Sequence, residues 1–218
     1  MTTIAIIGTG NVGNAIGSSA VRAGYDVVFA GRDADKARTV AAVAGARTAA
    51  TAREAVAGSD IVVLAVPYAA ITEIAAEIAP VAAGKIVIDP TNPLKADYSG
   101  LSTGGDTSAA EELARLLPES KVVKAFNTVF AGNAADPQAL GFQLDSLFAT
   151  DDEAAKDAVC GLSGSIGFRP IHVGPLAAAR ELEAMAWLNI RLQLISNGNW
   201  NTAYALVSPP EAALVSGK

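Results

Sequence analysis

Three glycines near the start of the 218-residue chain have the spacing of a phosphate-binding turn, and the apolar run 4–7 precedes them. In a strand–turn–helix unit the first glycine allows the tight turn and the second lets the backbone approach a pyrophosphate, while the third lets the helix pack closely on the strand. The free N–H groups at the start of the helix then bind the phosphates. The motif therefore predicts a dinucleotide site. Its residues are Gly8, Thr9, Gly10, Asn11, Val12 and Gly13.

The tip of the second predicted strand, residues 25–30, carries the residues that distinguish NADP from NAD. It reads Gly31, Arg32 and Asp33, with Lys36 one helical turn further on. A carboxylate at this tip would bind the ribose 2′-hydroxyl of NAD and repel a 2′-phosphate. A glycine followed by two cations favours the phosphate instead. We therefore predict NADP, with Gly31, Arg32 and Lys36 at the phosphate. Two alternatives stay open: Asp33 as the NAD-type acid, and a solvated basic pair without a ligand.

Apolar strands alternate with helical segments along most of the chain, which predicts an α/β fold with a Rossmann-type doubly wound parallel sheet. We assign residues 1–150 to the dinucleotide-binding domain and 151–218 to a small C-terminal α/β appendage with a long apolar helix. Pro80 is expected to end the helix 69–79, and 129–141 to be irregular. Residues 143–150 are expected to form a strand with one wetter face, and the chain from Pro175 onward to be helical.

Turns at the carboxyl ends of the predicted strands should surround one crevice, because ligands of open parallel sheets bind there. The candidates beyond the glycine motif are Val66, Pro67, Tyr68, Asn92 and Asn127. Tyr68 is either a proton donor or a wall for a flat ring. The set lacks a good acid or base, so we predict no catalytic side chain. Hydride transfer between two ring cofactors needs chiefly proximity and orientation.

Two further reactive side chains have structural interpretations. His172 lies inside the last predicted strand, 168–173, and we interpret it as structural. Cys160 lies on a predicted helix without a neighbouring histidine, and we interpret it as inert core. A single cysteine cannot form an intrachain disulfide, and no cluster has the spacing of metal ligands.

Composition restricts the classes of partner. The net charge of −6 and the pI near 4.8 weigh against nucleic acid. The longest apolar stretch is interrupted by Pro67 and is too short for a bilayer, and the first basic residue is Arg22, which does not fit a signal peptide. We expect a cytoplasmic protein with a small-molecule ligand. The segment 185–195 is apolar on nearly every side, which favours a homodimer; the alternative is a helix covered by its own monomer.

Several of these segments together resemble one family, the NADP oxidoreductases typified by the deazaflavin (coenzyme F420)-dependent NADP reductases. The segments are 8–13, 31–33 with Lys36, 66–67, 89–93 and 123–128, and then 174–176 with Arg180 and Glu183. The resemblance implies a dimer that uses NADP and coenzyme F420. It also implies that Thr9, Arg32 and Lys36 hold the 2′-phosphate and that residues 10–12 hold the pyrophosphate.

Two positions depart from the family pattern. Gly31 stands where the deazaflavin enzymes often have serine or threonine, and Asn127 stands where some have a histidine beside the deazaflavin ring. Three functional hypotheses follow. The first is hydride transfer between NADP(H) and a deazaflavin. The second is NADPH-dependent reduction of a small carbonyl or imine, with Tyr68, Asn92 or Asn127 orienting the substrate. The third is a non-catalytic dinucleotide-binding protein.

Overall fold

Eight strands and eight α-helices make up the part of the chain that the computed structural model describes, residues 1–207. The strands are β1 (Thr3–Ile7), β2 (Asp26–Ala30), β3 (Arg47–Thr48), β4 (Ile61–Leu64), β5 (Ile86–Asp89), β6 (Lys121–Ala125), β7 (Asp145–Ala149) and β8 (Arg169–His172). The helices are α1 (Asn11–Arg22), α2 (Ala34–Ala44), α3 (Ala52–Ala57), α4 (Ile71–Ala82), α5 (Ala109–Leu116), α6 (Ala131–Ala135), α7 (Glu153–Ser165) and α8 (Ala179–Ser196). Single 3₁₀ turns, Tyr68–Ala70 and Leu176–Ala178, precede α4 and α8.

All eight strands form one sheet in the order β3-β2-β1-β4-β5-β6-β7-β8. Every neighbouring pair is parallel except β6 and β7, which are antiparallel. The predicted doubly wound α/β fold is confirmed, and the sheet departs from a parallel arrangement at this one pair. The reason is the connection between β6 and β7, which returns the chain into the sheet from the edge where β6 ends instead of crossing over the sheet.

Helices cover both faces of this sheet, so the strands alternate between two apolar cores. In β1, Ile4 and Ile6 face the core that contains α1, α2 and α7. Ala5 and Ile7 face the second core, which contains α3, α4 and α5. This burial on both sides explains why the strand sequence is apolar throughout. Because four neighbouring strands, β1, β4, β5 and β6, are parallel, their carboxyl ends lie at one common edge of the sheet. The predicted crevice lies at this edge.

Pro80 does not end the fourth helix as expected, because α4 continues through it to Ala82. The missing proline N–H would have bonded the carbonyl of Ala76, four residues earlier. Both residues are exposed, so water can satisfy that carbonyl near the end of the helix.

Residues 129–141 and β7 also differ from expectation. The first segment contains α6, a five-residue helix too short to produce a recognisable apolar period. Strand β7 has no wetter face: Phe148 lies in the core beneath α7, while Leu147 and Ala149 pack against Leu182 of α8. Helices α7 and α8 cover the two faces of this strand, so both faces are buried.

The chain after residue 175 is only partly helical, contrary to expectation. Helix α8 ends at Ser196, because Asn197 adopts a left-handed conformation with φ 47°. The chain then returns along α8, where the Tyr204 hydroxyl donates a hydrogen bond to the Met185 carbonyl at 2.9 Å. The part of the helical prediction beyond residue 207 lies outside the described residues.

The expected core position of Cys160 is also wrong, because its side chain is exposed on the outer side of α7. Its neighbours Val159 and Leu162 form the buried side of that helix. No helix in residues 1–207 has the length and hydropathy needed to cross a membrane.

Candidate cofactor-binding site

The glycine turn is pressed against the end of β4. A Cβ on Gly8 would lie 2.1 Å from the Ala65 carbonyl oxygen, and Gly8 has φ 110°. A Cβ on Gly13 would lie 2.2 Å from the Gly8 carbonyl oxygen. Both distances are far below van der Waals contact, so only glycine allows this approach of turn, helix and strand. Val66 is also close, with Cγ1 3.2 Å from the Gly8 Cβ position.

Gly10 has the opposite environment. It is the N-cap of α1, and a Cβ built on it would meet no atom of the described residues within 4 Å. Within the described residues, no side chain caps this helix. The N–H groups of Asn11, Val12 and Gly13, which cannot have intrahelical partners, therefore begin the helix beside open space. A free helix N-terminus next to an unobstructed glycine fits a pyrophosphate.

The tip of β2 lies beside the same turn. A Cβ on Gly31 would lie 3.2 Å from Thr9 Oγ1, which places the threonine hydroxyl at the strand end. Asp33 caps α2, and its Oδ1 accepts a hydrogen bond from the Lys36 N–H at 3.0 Å. Within residues 1–207, the exposed side chains of Arg32 and Lys36 form no salt bridge with a carboxylate. Two available cations beside a hydroxyl fit a 2′-phosphate, while Asp33 is committed to the helix cap.

A pocket of about 120 Å³ lies at the other end of the crevice. Its walls come from Val12 at the start of α1, from Asn92 and Asn127 after β5 and β6, and from Ala186 and Asn189 of α8. In a Rossmann unit the pyrophosphate lies at the start of the first helix, so a dinucleotide with its adenosine end at β2 extends its nicotinamide toward β4, β5 and β6. The pocket therefore lies on the nicotinamide side.

The side-chain amides of Asn92 and Asn127 form a fixed pair in this wall. Asn127 Nδ2 donates to Asn92 Oδ1 at 2.9 Å and to the Leu182 carbonyl at 3.0 Å. Asn92 Nδ2 donates to the Asn127 backbone carbonyl at 2.9 Å. Phe126, just before Asn127, has φ 63°, a conformation that bulky residues rarely adopt and that turns the chain here. The backbone and the amide pair together fix the orientation of Asn127.

The turn after β4 places Pro67 exposed at the crevice edge and Tyr68 half-buried behind it. The Tyr68 hydroxyl donates a hydrogen bond to Glu112 Oε2 at 2.5 Å. Burial, reinforced by the Glu112 carboxylate, raises the pKa of Tyr68 to about 12. Its proton is therefore held by Glu112, which makes Tyr68 a poor donor to a substrate and a suitable wall for a ring.

One group of buried charges at the crevice was not predicted from the sequence. Lys124 Nζ donates to Asp89 Oδ2 at 2.9 Å and to Glu183 Oε1 at 2.8 Å. The three side chains are at most 1% exposed. Burial raises the pKa of Glu183, while Lys124 opposes the shift. The signal in the sequence is a charged residue beside an apolar run at Asp89 in β5 and Lys124 in β6, whereas Glu183 is one of several charged residues in α8.

His172 and Cys160 lie outside the crevice. The His172 ring packs against Phe148 with centroids 5.3 Å apart, and its Nε2 lies 3.3 Å from the Thr150 carbonyl. Across residues 1–207, no cluster of side chains could hold a metal ion.

Comparison with known proteins identifies the family. Residues 3–93 match the family described as NADP oxidoreductase, coenzyme F420-dependent. The F420-dependent NADP reductase of Methanothermobacter thermautotrophicus is 33% identical over 227 residues, which cover 95% of this chain and 96% of the relative. The chain belongs to this family. The resemblance stated from the motifs is confirmed.

Other members and relatives show the range of the fold. A solved structure from Arthrobacter, assigned as an F420-dependent NADP reductase, has a TM-score of 0.83 and 30% identity over 93% of this chain and 99% of its own. Metalloreductase STEAP3 of Rattus norvegicus is 31% identical over 186 residues, 84% of this chain. The chain spans only 36% of the length of STEAP3.

Proposed function

We propose that this protein transfers hydride between NADP(H) and the deazaflavin coenzyme F420. The observation that carries the proposal is the crevice itself. In residues 1–207 it combines a helix N-terminus without a side-chain cap, two basic side chains without a salt bridge, and a pocket walled by fixed amides. Family membership supplies the identity of the second coenzyme. A relative of nearly the same length and 33% identity has this activity in its name.

The glycine turn and the tip of β2 fit NADP(H). The N–H groups of residues 11–13 would bind the pyrophosphate, with the open side of Gly10 leaving room for it. Arg32 and Lys36, with Thr9, would bind the 2′-phosphate by charge-assisted hydrogen bonds. The missing side chain at Gly31 leaves that space to the Thr9 hydroxyl.

The pocket side of the crevice would hold the reacting rings. When bound, NADPH supplies a hydride. Val66 and Pro67 at the end of β4 and the amides of Asn92 and Asn127 would limit the positions that flat rings can take. Because hydride passes directly from carbon to carbon, the side chains contribute proximity and orientation and no proton at the transferred centre.

Reduction of a small carbonyl or imine fits this site less well. Such a reaction needs a positioned proton donor. Tyr68 is the best candidate on the crevice wall, yet its proton is hydrogen-bonded to Glu112 and its pKa is about 12. A purely binding role is the remaining alternative, and a turnover assay distinguishes it.

We further propose a cytoplasmic homodimer formed through α8. The exposed side chains of Leu188, Leu192 and Ile195 follow one another at four- and three-residue spacing, with 52%, 46% and 73% of their surfaces accessible. An apolar stripe of this kind is costly in water and suits the same stripe on a second copy. We also propose that the chain divides at residue 150. Residues 1–150 would bind the dinucleotide, and residues 151–218 would cover the substrate site and form the dimer contact.

Turnover with both coenzymes tests the proposed function. Purified protein should oxidise NADPH and reduce F420 in equal amounts, and NADH should replace NADPH poorly. Binding of NADPH without any reduction of F420 would favour the binding-protein alternative.

A further inference from the structure

Three buried side-chain oxygens in residues 1–207 have no hydrogen-bond partner, and all three belong to one corner of the crevice. They are Thr91 Oγ1, Asn127 Oδ1 and Glu183 Oε2. Lys124 Nζ joins two of these residues, donating to the Thr91 carbonyl at 2.6 Å and to Glu183 Oε1. Asn127 joins the same network through the carbonyl of Leu182, the neighbour of Glu183. Buried acceptors without donors are rare in folded proteins and point to a group that donates.

The charges in this corner do not balance. Asp89 and Glu183 carry two carboxylates, and Lys124 is the only Lys or Arg within residues 1–207 that bonds either of them. All three donor hydrogens of Lys124 are used, by Asp89, Glu183 and the Thr91 carbonyl. With both carboxylates ionised, the cluster has a net charge of −1 in a nearly water-free environment, where charge interactions are stronger than in water.

Each member of the cluster lies within three residues in the sequence of one that lines the 120 Å³ pocket. Asp89 directly precedes Pro90, Lys124 is two residues before Phe126, and Glu183 is one helical turn before Ala186. The cluster therefore lies close to the pocket, at the end of the crevice that would hold the nicotinamide. Asn127, whose Oδ1 lacks a donor, is itself part of the pocket wall.

We propose that the buried cluster of Asp89, Lys124 and Glu183 makes the site prefer the oxidised, cationic nicotinamide ring of NADP⁺ over the neutral ring of NADPH. This rests on the proposed binding of NADP(H). The ring of NADP⁺ carries a positive charge that the reduced ring lacks, so a net negative wall stabilises it selectively. The carboxamide N–H groups of the ring are donors of the kind that Asn127 Oδ1 lacks.

This preference has a consequence for the direction of the reaction. A site that binds NADP⁺ more tightly than NADPH shifts the bound equilibrium toward hydride leaving the nicotinamide, because a ligand moves an equilibrium by its differential affinity. Asp89, Lys124 and Glu183 are thus positioning and charge-setting residues close to the pocket.

The test is the ratio of NADP⁺ to NADPH affinity, measured by calorimetry without any deazaflavin. Glu183→Gln and Asp89→Asn each remove one negative charge with little change of shape, and each should lower the relative affinity for NADP⁺ roughly tenfold. The matched control is Glu181→Gln, which removes an exposed carboxylate from the same helix and should leave the ratio unchanged. Because burial raises the pKa of Glu183, the ratio is measured on the alkaline side of neutral pH, where the ionised form is favoured. The polar groups facing Glu183 are Lys124, Asp89, Tyr68 and the Ala109 N–H.

If one of the two variants does not fold, the other still tests the proposal. The ratio of NADP⁺ to NADPH affinity in the wild type is a third, independent measurement. Wild-type protein should bind NADP⁺ at least as tightly as NADPH. A clear preference of the wild type for NADPH, or an unchanged ratio in both folded variants, would overturn the proposal. Because no deazaflavin is present, a failure of F420 turnover would count against the proposed function and leave this inference standing.

Discussion

The hydroxyl of Tyr68 donates a hydrogen bond to Glu112 Oε2 at 2.5 Å, so the only phenol on the turn after β4 has its proton committed to a carboxylate. We expect Tyr68→Phe to change the rate of F420 reduction by less than about threefold, because hydride transfer needs no proton from this residue. Steady-state kinetics would check this. A loss of about a hundredfold would identify Tyr68 as an acid catalyst and favour the carbonyl reductase.

The pH dependence of stability gives a second measurement on the same residue. The pKa of Tyr68 in the folded protein is raised from 10.0 to about 12. The protonated form is therefore favoured by folding, and its contribution is fully present below pH 10.0 and lost as the pH rises through about 12. Wild type should lose stability relative to Tyr68→Phe over this alkaline window. Parallel pH curves for the two proteins in chemical denaturation would contradict the assignment.

Cofactor choice tests the tip of β2. Arg32→Ala should weaken NADPH binding by roughly 1.5–3 kcal/mol and barely change NADH binding, because it removes a charge-assisted contact to the 2′-phosphate. Arg38→Ala is the matched control, since Arg38 lies on α2 and is paired with Asp35. Calorimetric titration of each protein with NADPH and with NADH measures the two affinities. Equal affinity of the wild type for NADPH and NADH would refute the NADP assignment.

The glycine turn predicts a different effect on stability at two of its positions, although both substitutions should prevent dinucleotide binding. Gly10→Val should abolish dinucleotide binding in a folded protein, because the new side chain extends into the open space beside α1. Gly13→Val should also lose stability, because its Cβ would lie 2.2 Å from the Gly8 carbonyl oxygen. Thermal unfolding together with NADPH titration distinguishes the two effects. Normal NADPH binding by Gly10→Val would mean that the turn has no role in binding.

Much of this arrangement could be predicted because its signals are local. The glycine turn before α1, the basic tip of β2 and the turns around the crevice follow from glycines, charged residues and apolar runs that lie close together in the sequence. The pairing of Lys124 with Glu183, 59 residues apart, could not be predicted, because only the packing of α8 over β6 brings them together. The end of α8 was missed for a related reason, since its left-handed Asn197 is followed by a segment held by tertiary contacts.

Oligomeric state tests the exposed stripe on α8. Leu192→Glu should convert a dimer to a monomer, because a buried unpaired charge in an apolar interface costs several kcal/mol. Val43→Glu is the control, because it adds a carboxylate at an exposed apolar residue of α2, on a different helix from the stripe. Light scattering at micromolar concentration measures the oligomeric state of the wild type and of each variant. A monomeric wild type would contradict the proposed interface.

The most direct test of the central claim is a turnover assay with NADPH and oxidised F420, followed by the loss of deazaflavin absorbance and checked against a panel of small carbonyls and imines. The account predicts that one equivalent of F420 is reduced for each NADPH oxidised and that the panel leaves NADPH unchanged. Reduction of carbonyls or imines with F420 left oxidised would contradict it.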